Sequence, residues 1–108
     1  MTEQEQDDQK VTSEYLEAVA VARGETRKVW GDDDGKSPGF LLTVVASEIG
    51  RTADAILGNP YGDDPLSNCE AAIDQVVMVG AACSSLFELL VRNRARLVEE
   101  FAGEHSAR

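Results

Sequence analysis

Apolar residues recur at three- and four-residue steps along most of this chain, and glycine, proline and acidic runs interrupt them at two places. Thr12 or Ser13 can cap a first helix, whose apolar stripe is Tyr15, Val19, Ala22 and Val29, widened by Leu16 and Trp30. Gly31 ends it, and residues 31–37 form a loop. Ser37 followed by Pro38 is a capping hydroxyl and then a proline at the first helical position. The second helix is predicted from Pro38 to Leu57, with Gly58 as its stop. Leu41, Val44, Val45, Ile49, Ala53 and Ile56 give it an apolar face, and the nearly all-apolar stretch Phe40–Ala46 makes it central. Residues 58–66 hold two prolines and two glycines and are irregular. Asp64-Pro65 repeats the cap-then-proline signal, and a third helix is expected from about Ser67. Its expected buried side is Ile73, Val76, Val77, Gly80, Cys83, Phe87, Leu90 and Val91, while Gly80, Ala81 and Ala82 let another helix approach closely. The pattern runs on through Leu97, Val98 and Phe101 to Gly103, which is long for so small a domain, so a bend is expected near Arg92–Arg94. Arg96 and Glu100 are spaced to pair one turn apart. No strand-like alternation of useful length interrupts this picture. The fold class is all-α, a bundle of three to four helices.

Length and charge then narrow the reading. One domain fits in 108 residues, with an acidic disordered tail at 1–11, a helical domain at 12–102 and a flexible tail at 103–108. A bundle this small is expected to be completed by pairing with a second copy, as a dimer or a tetramer. The net charge of −10 argues against nucleic acid and anionic membrane surfaces as partners. It leaves open a nucleotide bridged by a divalent cation. Asp32, Asp33 and Asp34 read as a solvated loop. Cys69 and Cys83, if on one helix, are about 21 Å apart and cannot form a disulfide with each other. Two thiols and no signal peptide point to a cytoplasmic setting, and the apolar stretches read as too short and interrupted to span a bilayer. The single histidine, His105, lies in a polar tail, so no histidine-based metal site or triad is expected within one chain.

The chemistry left is that of carboxylates on helices, which can hold Mg²⁺ when they project inward from facing helices at one-turn spacing. Glu48 follows the apolar stretch Phe40–Ala46 and either lies at the rim of the core or has a partner. Glu70 and Asp74 are one turn apart on the third helix, and Asp74 sits beside the apolar stripe. An antiparallel second and third helix would let Glu48 face Asp74. The bland alternative places all three on solvated faces. Trp30 either stacks on a base or packs over the edge of the core.

These residues carry a family resemblance. Val29-Trp30-Gly31, then a loop, then the stretch Leu41–Ile56 with Ser47-Glu48-Ile49-Gly50-Arg51 at its centre, and then Glu70-Ala71-Ala72-Ile73-Asp74 followed by small apolar residues, together resemble the MazG-like all-α nucleotide pyrophosphohydrolases over roughly residues 13–91. In that family the second helix carries Glu-Glu-x-Gly-Glu and the third Glu-x-x-Asp. Here Ser47 and Arg51 replace two of the glutamates, and Ala71 stands at the glutamate position of the second motif, with Glu70 one residue early. The resemblance implies Glu48 and Asp74 as ligands of Mg²⁺ or Mn²⁺, Glu70 as a substitute third ligand, and Arg51 and Trp30 as contacts to a nucleoside triphosphate. The implied reaction is Mg-dependent hydrolysis of a nucleoside triphosphate to the monophosphate and pyrophosphate. Arg51 can instead neutralise Glu48 or Asp74, or hold a phosphate with its bidentate fork. The alternative is therefore a catalytically inactive helical oligomerisation or interaction protein that keeps the framework.

Overall fold

The computed structural model describes residues 2–31, 35–57 and 64–106, without the side chains of Trp30 and residues 104–106. Within them the chain is three helices and no strand: α1 (Glu3–Trp30), α2 (Pro38–Leu57) and α3 (Pro65–Ser106). The Asp32–Asp34 run and most of the second connection lie outside the described residues.

The punctuation read from the sequence is where the helices turn. Gly31 adopts a left-handed φ of 77° that suits glycine, and its N–H donates to the Arg27 carbonyl at 2.8 Å. The Ser37 hydroxyl accepts from the Phe40 N–H at 3.1 Å, and the Asp64 carboxylate accepts from the Ser67 N–H at 2.7 Å. That backbone bond, and then the Ser67 hydroxyl, hold the Asp64 carboxyl below its ordinary value of 3.8. Asp64→Ala is expected to speed amide hydrogen exchange at Ser67 while leaving the rest of α3 protected. Exchange followed by NMR checks this, and an unchanged Ser67 rate refutes the cap.

The ends of the helices differ from the expectation. The tail expected at 1–11 is instead the first two turns and more of α1, which starts at Glu3. A reciprocal capping box explains this start: Thr2 Oγ1 accepts from the Glu5 N–H, and the Glu5 carboxylate accepts from the Thr2 N–H. Gln4 adds a bond to Asp8 one turn on. The helix does not break near Arg92–Arg94 as expected: α3 runs for 42 residues to Ser106, inside the segment read as a C-terminal tail. No proline or glycine lies between Gly80 and Gly103 to break it, and Arg96 and Glu100 come to 4.0 Å as spaced.

α3 packs against both other helices. Tyr15 and Val19 meet it at Gly80, and Arg23 and Arg27 meet it at Glu88, so α1 runs alongside α3 in the same direction. The result is elongated, with extents of 66 × 41 × 23 Å and a radius of gyration of 18.7 Å. A compact domain of this length has a radius near 13 Å.

The core is only in part the one the apolar stripes predict: Leu41 and Val45 are buried as expected, and among the described residues Ala81 and Leu89 complete the buried apolar set. Ile49 and Ile56 on α2, and Ile73, Val76, Cys83, Phe87 and Leu90 on α3, are all exposed. The small residues decide this: α2 packs where Ala81, Ala82 and Ser85 let it come close, and α1 where Gly80 does. The bulkier stripe of α3 is thereby turned outward. By length and composition α3 also reaches what a membrane crossing needs, with a mean hydropathy of 1.5 over an 18-residue window, contrary to the reading of its apolar stretches as too short.

Candidate functional site

Where the three helices converge, a cavity of about 400 Å³ opens between Phe40, Met78 and Ala82, with Lys36, Glu48 and Arg51 also in its wall. Its chemistry follows from the helix periodicity of α2. Leu41, Val45 and Glu48 are successive turns of one face, so the face that enters the core as leucine and valine continues as a carboxylate. Glu48 is 8% exposed. One turn on, Arg51 reaches back, and its Nη1 donates to Glu48 Oε1 at 2.7 Å. The guanidinium side chain is itself 63% exposed, so it caps the buried carboxylate from the solvent side. Thr52 Oγ1 closes on the Glu48 carbonyl and Ser85 Oγ on the Ala81 carbonyl, which uses both hydroxyls inside their own helices.

The other expected ligands do not join this place. Asp74 and Glu70 are exposed on α3 and line no part of the cavity. The α3 residues that do so with Glu48 are Met78, Ala81, Ala82 and Ser85, one to three turns further along. Among the described residues, no group of three or more histidine, cysteine, aspartate or glutamate side chains is placed to hold a metal ion. Trp30 ends α1, and its side chain lies outside the described residues. The structure thus brings together Glu48 and Arg51 and leaves Glu70 and Asp74 apart from them. As it stands, the arrangement offers a carboxylate already paired with Arg51 and an apolar wall, with Lys36 also in its lining.

A second charged cluster was not singled out from the sequence. Arg23 is 5% exposed and its Nη2 donates to Glu88 Oε2 at 3.0 Å, and Arg27 Nη2 donates to the same oxygen. Burial pushes the Glu88 carboxyl up, but the bond and charge of Arg23, followed by those of Arg27, outweigh it and hold the group below its ordinary value of 4.5. A signal existed: Glu88 is the sole charged residue between Asp74 and Arg92, and Arg23 and Arg27 are one turn apart on the Val19 side of α1. Both cysteines are exposed free thiols on α3. The chain matches no protein-family model, no curated protein and no solved structure.

Proposed function

We propose that this chain is a catalytically inactive helical oligomerisation or interaction protein on a MazG-like framework. The observation that carries the reading is its uncovered apolar surface: Phe40, Leu42, Ile49, Ile56, Ile73, Phe87 and Phe101 are each more than half exposed, against four buried apolar residues among the described ones. A fold that leaves its largest side chains in water is completed by another surface. Arg51 on Glu48 supports the loss of catalysis, because a guanidinium stands where the resemblance calls for a carboxylate. The expected result is no pyrophosphate from canonical or modified nucleoside triphosphates with Mg²⁺ or Mn²⁺, together with a sedimentation mass above that of one chain. Turnover that disappears in Glu48→Ala overturns the inactive reading, and a monomer at all concentrations overturns the assembly reading.

A second reading, a nucleotide-binding or pyrophosphohydrolase homologue, is favoured by the cavity itself, which sets Arg51 and Lys36 beside Phe40. In it Arg51 leaves Glu48 for a triphosphate. Calorimetry with a non-hydrolysable triphosphate tests this: heat of binding that vanishes in Arg51→Ala supports it, and no heat with the wild-type chain refutes it.

A further inference from the structure

We infer that the cavity between α1 and α2 is a binding site for a small uncharged molecule with an apolar body and one N–H or O–H donor, which bonds to the second carboxylate oxygen of Glu48. The site follows from how the helices are arranged. α1 and α2 each pack on α3 and, among the described residues, not on each other. The space left between them is the cavity of about 400 Å³, with Thr26 of α1, Phe40, Leu41 and Val44 of α2, and Ala81 and Ser85 of α3 in its lining. Ala81 and Ser85 are 3% and 5% exposed, so the cavity reaches down to the core. Sites for small molecules hold about 300–1,000 Å³ and are lined mainly by apolar side chains with a few polar groups, and this one has that make-up.

The polar atoms left open decide the ligand. The Thr26 hydroxyl donates to the Ala22 carbonyl at 2.8 Å and the Ser85 hydroxyl to the Ala81 carbonyl at 3.3 Å, so both protons are spent inside their own helices. Glu48 Oε1 accepts from Arg51, while Oε2 accepts no hydrogen bond from any described residue. The Glu48 side chain is only 11% exposed, so this oxygen has little bulk water to replace the missing donor. An ionised carboxylate is the strongest acceptor the cavity offers. Charge then separates the ligand classes. An anion would be set against that oxygen. An ammonium would enter beside Arg51 and Lys36, and Arg51 already balances Glu48. An uncharged donor bonds to Oε2 at neither cost, and its body covers Phe40, Leu41 and Val44. Arg51 stays on Glu48 throughout, so the inference does not rest on the triphosphate reading, in which Arg51 leaves.

The test is a titration of the full chain with indole, a bicyclic molecule with one N–H donor, followed by amide NMR. Saturable shifts are expected at Thr26, Phe40, Val44, Met78 and Ala82, which line the cavity. 1-Methylindole keeps the body and lacks the donor, and it is expected to bind roughly 10-fold or more weaker to the wild-type chain. Glu48→Leu continues the face of Leu41 and Val45, so far-UV helicity is expected to stay, and in this variant indole and 1-methylindole are expected to bind alike. Arg51→Ala is expected to keep indole binding. No saturable shift with millimolar indole overturns the inference, and so do shifts centred on Leu97 and Phe101. Equal binding of the two indoles by the wild-type chain, or a preference that survives Glu48→Leu, overturns the bond to Glu48. Tighter binding of tryptamine or of indole-3-acetate than of indole overturns the choice of an uncharged ligand. Triphosphate binding that needs Arg51, with no binding of indole, overturns this inference and leaves the triphosphate reading standing.

Discussion

Glu88→Ala is expected to lower the stability of this protein by about 2 kcal/mol and its thermal midpoint by roughly 10 °C. The residue is the shared acceptor of Arg23 and Arg27, and it is what ties the middle of α1 to α3. The Arg23 side chain is 6% exposed, so removing the Glu88 carboxylate takes a charged acceptor away from a buried guanidinium. Breaking a fully buried pair at one end costs about 3–5 kcal/mol. About a third of the Glu88 side chain is exposed, and water screens part of that loss, which is why the smaller figure is expected. The same contact has a pH signature. The folded-state carboxyl titrates below 4.5, so its contribution is fully present above that value and is lost as pH falls through the lowered folded value. Glu88→Gln keeps the shape and removes this acid-limb step. Thermal melts from pH 3 to pH 7 decide the matter, and an acid limb that is identical in Glu88→Gln and wild type would falsify the assignment.

Gly80→Val is expected to cost about 2 kcal/mol for a different reason. A Cβ at this position would lie 2.5 Å from Tyr15 Oη and 2.6 Å from Val19 Cγ2. Tyr15 can swing its hydroxyl end away, but the Val19 methyl is carried on a Cβ whose χ1 is stiff in a helix, so clearing it shifts α1. The helix propensity gained by replacing glycine is no more than about 1 kcal/mol and does not offset the displacement. The expected readout is faster amide exchange across α1 between Tyr15 and Arg27 with α2 and α3 still protected. Val19→Ala in the same chain is expected to restore most of the loss. Equal destabilisation in the single and double variants would show that α1 does not rest on Gly80.

Much of this protein was legible in its sequence. Local rules set the helix count, the stops and the starts, because capping and backbone geometry depend on residues within one turn. Ser37-Pro38, Asp64-Pro65 and Gly31 each stand where a helix begins or ends. The early start of α1 was also local, written in the Thr2–Glu5 pair and overlooked beneath an acidic composition. The ion pair between Glu48 and Arg51 was one of the outcomes their one-turn spacing allowed. Tertiary structure decided which sides of those helices meet. The periodicity of α3 marks an apolar stripe but does not say whether this chain covers it. Close approach favours Gly80, Ala81, Ala82 and Ser85, whose small side chains let helices pack tightly, and so the stripe through Phe87 faces outward. That choice of register also sends Glu48 into the cavity while Asp74 and Glu70 stay in solvent, because the packing of two helices is set by the sum of contacts along them and not by one pair of carboxylates.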